Sequence, residues 1–226
     1  MTRHTSKEFE QELTTVRDRL VAMGRQADQQ ITDAMRALTE QDDVLAQGVV
    51  RADDALDRAE LEIDELCQIM LATRQPVASD LRFITMSMKF VTDLERIGDL
   101  AVGIAKRCLE LNRLPSFQLN NSLARLAQMV QVNLRAALEA FIAKDAERAT
   151  AVIAADVEID RLNASLFAEL IAHVVTDPAN VTRVLPLTSV CRYLERIGDH
   201  VKNLAEEIVY MVRARDVRHR AVRSSS

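Results

Sequence analysis

Leu94-Glu95-Arg96-Ile97-Gly98-Asp99 recurs letter for letter as Leu194-Glu195-Arg196-Ile197-Gly198-Asp199. Six identical residues in the same apolar helical context mark an internal duplication, and a duplication sets the architecture before any single element is assigned. Upstream of each copy, Val49-Val50 with Asp53 and Asp57 resembles Val152-Ile153 with Asp156 and Asp160, at an offset of 103 instead of 100. The small difference fits within connecting turns. The chain therefore reads as two three-helix units, residues 1–113 and 119–226, joined by a loop around Pro115. Each unit carries the hexapeptide on its third helix and an acidic pair on its second.

Composition agrees with an all-α reading. Five Gly and four Pro make about 4% of the chain against an average near 12%, too little punctuation for a sandwich, a barrel or a doubly wound sheet. An apolar content of 48% with 4% aromatics and no Trp suits a core of Leu, Ile, Val, Ala and Met. Hydrophobic spacing places helices at about 5–38, 43–72, 80–112, 119–142, 145–174 and 181–213. The last has the clearest stripe, with Val190, Leu194, Ile197, Val201, Leu204, Ile208 and Met211 in alternating steps of four and three. Breaks fall at Glu40–Asp43, around Pro76, around Pro115, at Lys144-Asp145 and at Asp177-Pro178. The last pair reads as an N-cap followed by proline at the first helical position. Pro186 predicts a kink or a late start of the final helix.

Several function classes are excluded at this level. A net charge of −5 argues against a general nucleic-acid binder, and the basic run from Arg213 to Arg223 reads as a solvated tail. No run of eighteen uncharged apolar residues predicts a membrane span, and Met1–Glu12 carries no export signal. Cys67, Cys108 and Cys191 lie in apolar helical pattern without CxxC spacing, as reduced core thiols of a cytoplasmic protein do. His4, His173 and His219 read as ordinary surface or core histidines. There is no P-loop, no glycine-rich dinucleotide turn and no strand-borne Ser-His-Asp order.

What remains is acidic. Residues four apart share a helix face, so Glu95 with Asp99, Glu195 with Asp199, Asp53 with Asp57 and Asp156 with Asp160 form four pairs matched between the halves. At about 100° per residue, the Glu95 and Glu195 pairs lie roughly 145° from the core direction, and the pairs on the second and fifth helices roughly 90–100° from theirs. One pair can then approach the other across neighbouring helices, giving a cluster of four carboxylates per half. Solvated surface acids are the plain alternative. Gly98 and Gly198 favour the cluster, because a mid-helix glycine costs about 1 kcal/mol relative to alanine and is kept where something must approach the backbone. Oxygen-only ligands suit magnesium, manganese or calcium, and iron or zinc if a histidine joins. His200 and Asn203 flank only the second copy, where the first has Leu100 and Gly103, so the second site is expected to be the stronger. No Glu has a His three residues later, which disfavours a ferritin-like di-iron site.

The duplicated Leu-Glu-Arg-Ile-Gly-Asp, together with Arg74-Gln75-Pro76-Val77-Ala78-Ser79-Asp80-Leu81-Arg82, resembles the PhoU family over nearly the whole chain. The resemblance implies two pseudo-symmetric helical bundles, often dimeric, in the cytoplasm and at the inner membrane only through partners. It further implies a non-enzymatic regulator that relays the state of a phosphate ABC transporter, through its ATPase subunit, to the PAS-containing cytoplasmic region of a sensor histidine kinase. Such a relay represses the phosphate-starvation response when phosphate is plentiful. The family's E(D)xxxD motifs bind metal in some members. Here they map to Glu95, Asp99, Glu195 and Asp199, with Asp53, Asp57, Asp156 and Asp160 opposite, and Leu100 and Gly103 depart from the first-copy pattern. The rival readings are a passive metal buffer and a metal-dependent phosphohydrolase.

Overall fold

A computed structural model describes residues 2–114 and 121–215, with side chains from residue 7 onward. The Pro115 linker, His219, the side chain of His4 and most of the basic C-terminal run lie outside the described residues. Within them the chain forms α1 (Thr2–Glu40), α2 (Asp43–Arg74), α3 (Ala78–Leu111), α4 (Ser122–Ala143), α5 (Ala146–Thr176) and α6 (Val181–Arg213), and a 3₁₀ turn at Pro178–Asn180 precedes α6. No strand occurs among the described residues.

The duplication extends to the turns. Gln41 and Lys144, 103 residues apart, both adopt the left-handed conformation, with φ of 58° and 53°. Each is followed by an aspartate that caps the next helix. Asp42 accepts from the Leu45 N–H at 2.9 Å, and Asp145 accepts from the Glu147 and Arg148 N–H groups at 3.0 Å each. These side chains satisfy amides that a helix start otherwise leaves without partners. The Asp177-Pro178 signal operates one step earlier than expected, since Asp177 caps the 3₁₀ turn by accepting from Ala179 N–H. The late start expected at Pro186 does not occur. The helix begins at Val181 and carries a buried Pro186 in its second turn, where the missing N–H releases only the Thr182 carbonyl at the helix start.

Helices α1, α2 and α3 pack as one lobe and α4, α5 and α6 as the other. The lobes meet through α3 against α6 and α1 against α4, while α2 touches only its own lobe and α5 likewise. One continuous apolar core runs through both, from Val16 and Leu20 on α1 to Leu204 and Ile208 on α6. Small residues set the spacing at the lobe junction: a Cβ on Gly103 of α3 would meet the Tyr193 ring of α6 at 3.0 Å. The three cysteines are buried and free. Burial pushes the Cys67 and Cys191 thiols up to about 12, as inert core groups require. The fold leaves α2 and α5 as outer helices, each laid along the third helix of its own lobe. That placement brings the acidic pairs face to face.

Candidate metal centre

In the first lobe, α2 presents Asp53, Asp57, Glu60 and Asp64 in steps of four, three and four, one helical face. Opposite them on α3 stand Glu95 and Asp99. Their proximity and burial favour the protonated forms. Burial, helped by the charges of Asp99, Glu60 and Asp57, pushes Glu95 up to about 7 from 4.5. Burial with Asp57 and Asp99 raises Asp53, and burial with Asp64 raises Glu60. Arg96 offsets part of this from the solvent side. Its Nη1 donates to Asp99 Oδ2 at 2.9 Å, and its Nε lies 3.3 Å from Glu95 Oε2 without hydrogen-bond geometry. Glu95 Oε2 and Asp64 Oδ1 are both buried without a hydrogen-bond partner among the described residues.

In the second lobe, Asp156 and Asp160 of α5 face Glu195 and Asp199 of α6. Burial raises Asp199, with Asp156 and Asp160 adding to the effect and Lys202 and His200 opposing it. Burial, Asp199 and Asp160 raise Glu195, and burial with Asp156 raises Asp160. The difference from the first lobe is Lys202, whose Nζ donates to Asp156 Oδ2 at 2.9 Å. Asp156 is almost fully buried. The position one hundred residues earlier is Val102. Glu60 and Asp64 likewise find Asn163 and Phe167 at their repeat positions, so the second cluster is smaller and holds its own cation.

All eight expected acids are therefore brought together as two groups of four, one per lobe, at electrostatic range. Among the described residues no three acidic, histidine or cysteine side chains converge on one point as ready-made ligands. The donor set of the first lobe, oxygen-only with a buried Glu95 Oε2 lacking a hydrogen bond, fits a hard divalent cation. In the second the Lys202 ammonium already sits on the buried Asp156, whereas in the first the Arg96 guanidinium approaches Glu95 and Asp99 from the solvent side. The expectation that His200 and Asn203 would strengthen the second site is corrected. Both reach across the lobe junction to Asp93 of α3, His200 Nδ1 at 2.6 Å from Asp93 Oδ1 and Asn203 Nδ2 donating to the same oxygen at 3.2 Å. Spacing along α6 could not reveal this, since it depends on how α3 docks. Glu60 and Asp64 escaped the pairwise reading, although the 4-3-4 run Asp53, Asp57, Glu60, Asp64 was a signal that could have found them.

A duplicated six-helix protein with an acidic face in each lobe is a narrow class. The PhoU domain model matches the chain twice, over residues 20–108 and 123–208, and the chain belongs to the PhoU family. It is 42% identical over 220 residues to the phosphate-specific transport system accessory protein PhoU homolog of Pseudomonas putida, covering 97% of this chain and 86% of that one. The Pseudomonas aeruginosa homolog is also 42% identical, with 97% and 91% covered. The crystal structure of PhoU from Pseudomonas aeruginosa superposes with a TM-score of 0.88 at 41% identity, over 92% of this chain and 100% of that chain. The phosphate transport system regulatory protein PhoU from Streptococcus pneumoniae gives 0.86 at 28% identity, with 92% and 99% covered.

Proposed function

We propose that this protein is an accessory regulator of phosphate transport that couples the transporter's ATPase subunit to the PAS-containing region of a sensor histidine kinase. In this reading it works without catalysis, at the cytoplasmic face of the membrane and as a homodimer, and represses the starvation response when phosphate is plentiful. The observation that carries the reading is the family match in both repeats together with the near-complete overlap with relatives named as phosphate-transport accessory proteins. None of the helices, among the described residues, is long and apolar enough to cross a membrane, which is compatible with membrane attachment through partners.

An adaptor without catalytic groups acts only by preferring one partner state, so the coupling must come from differential contact energy. Two long helices held at a fixed angle by charge compensation between them suit that role. A divalent cation bound to Glu95, Asp99, Asp53 and Asp57 would supply positive charge to the first lobe as Lys202 does to the second.

The decisive test is genetic. Deleting the gene in its host should leave alkaline phosphatase constitutively expressed in high phosphate; phosphatase that stays repressed would sink the adaptor reading. The same chain purified with manganese should not hydrolyse an aryl phosphate, whereas turnover would favour a phosphohydrolase.

A further inference from the structure

The two acidic faces leave one part of the molecule unexplained. At the opposite side of α3 from Glu95, near its first turn, a cavity of about 400 Å³ opens between helices of both lobes. Arg17 of α1, Arg82 of α3 and Lys144 at the end of α4 line it. None of the three has a carboxylate within 4 Å among the described residues. Arg74 and Arg96, by contrast, are paired, Arg74 held bidentately by Glu12 and Arg96 by Glu95 and Asp99. Arg82 Nε is also buried without any hydrogen-bond partner. That atom is closed off from the cavity, so it is the terminal N–H groups of the Arg82 guanidinium that would meet an anion bound there.

The rest of the lining narrows the anion. Phe83 and Phe141, stacked with centroids 6.3 Å apart, form an apolar wall, and Arg17 lies 5.3 Å above the Phe83 ring. Asp80 and Glu10 add two carboxylates at the same cavity. They are acceptors for hydroxyl or amino groups. An anionic group, a flat apolar body and hydroxyl or amine donors describe one common chemical class, and the volume lies in the range of small-ligand sites.

We propose that this cavity binds a nucleoside phosphate, with the phosphate on Arg17, Arg82 and Lys144, the base against the phenylalanine wall, and the sugar hydroxyls or base amine on Asp80 and Glu10. The site draws Arg17, Asp80 and Phe83 from the first lobe and Phe141, Lys144 and Met211 from the second, so its occupant bridges the two lobes at the end of the junction.

The test is calorimetric titration of the full chain with AMP, adenosine and inorganic phosphate. AMP should bind saturably, with adenosine and inorganic phosphate each weaker by about tenfold or more. Arg82→Gln and Lys144→Gln should each weaken AMP by about tenfold. Lys144 is exposed, so its variant reads charge without disturbing the core, and an unchanged thermal melt certifies both variants as folded. Glu95→Gln, on the other face, should bind AMP as the unmodified chain does. No heat with AMP at millimolar concentration, equal affinity for inorganic phosphate, or undiminished binding by the folded Lys144 and Arg82 variants would each overturn the assignment. None of these results would touch the regulatory reading, which rests on other residues.

Discussion

The two lobes share a hexapeptide and a pair of helix caps, yet they solve the same electrostatic problem differently. In the second, Lys202 from the third helix neutralises the most buried acid, Asp156, within the protein. In the first, Val102 takes that place, Glu60 and Asp64 add to the charge, and the cations at hand are Arg96, on the solvent side of Glu95 and Asp99, and Lys106, whose charge opposes the rise of Asp53. The repeated residues fix how two helices pack; the unrepeated ones decide what compensates the charge between them. A duplicated motif thus carries geometry into both halves while leaving each half free to acquire its own counter-ion.

The largest expected effect comes from making the second lobe resemble the first. Lys202→Val removes the partner of a buried carboxylate, and an uncompensated buried charge costs several kcal/mol. Lys202 is itself 39% exposed along its side chain, so water relieves part of this and about 2 kcal/mol is expected. For a chain of this size that is a fall of roughly 4–8 °C in the melting temperature. Adding manganese or magnesium should recover some of the loss in the variant and not in the parent. A variant that melts unchanged, with and without metal, would show that the ammonium contributes nothing to the cluster.

The glycines give the comparison opposite signs. A Cβ on Gly98 would collide with the buried Leu56 side chain of α2 and sit 2.9 Å from Gln30 Oε1. A Cβ on Gly198 would meet only ordinary contacts, Ile159 at 3.4 Å and Asp156 Oδ1 at 3.5 Å. Gly98→Ala should therefore lose about 1–2 kcal/mol, because overpacking outweighs helix propensity. Gly198→Ala should gain up to about 1 kcal/mol, the propensity difference alone. Urea unfolding of the two variants side by side checks this, and equal losses would mean that α2 and α5 pack equally closely on their partners.

Metal content separates the lobes next. Elemental analysis after dialysis against manganese should show bound metal falling in Glu95→Ala with Asp99→Ala. In Glu195→Ala with Asp199→Ala it should change little. The reverse result would restore the second site as the stronger, as its His200 and Asn203 suggest from sequence alone.

Why the sequence reached some of this and not the rest is visible in single residues. Helix ends came within a few positions because Asp42, Asp145 and Asp177 are local signals that act on their own next turn. The duplication was legible because identity over six letters needs no three-dimensional knowledge. Angular position was less informative. Glu95 lies far from the core direction of α3, and still its side chain is only 14% exposed, because α2 lies over it. A helical period locates a face but cannot say which neighbour covers that face. The same limit hid the destination of His200, whose partner Asp93 is 107 positions away on the other lobe.

The smallest effect is a pH dependence of the metal-free protein whose near-neutral part belongs to the first lobe, since the raised acids of the second act nearer the acidic end. Glu95 ionises at 4.5 in the unfolded chain and at about 7 in the folded one, chiefly because of burial and then Asp99. Below the lower value both states hold the proton and no difference arises. Between the two values the folded state retains a proton that the unfolded state has released, so stability falls as pH rises across that window and levels off above it. Asp53, Glu60 and Asp64 are raised as well and add the same sign nearer its acidic end. Water screening of the neighbouring exposed acids leaves about 1 kcal/mol to Glu95, or roughly 2–4 °C. Melting curves in chelator at the two ends of the window measure it. Glu95→Gln, which removes the charge and keeps the shape, should lose the near-neutral part of the slope, while Glu195→Gln should keep it. A slope retained in the first variant would mean that the acidic face of α3 titrates without α2.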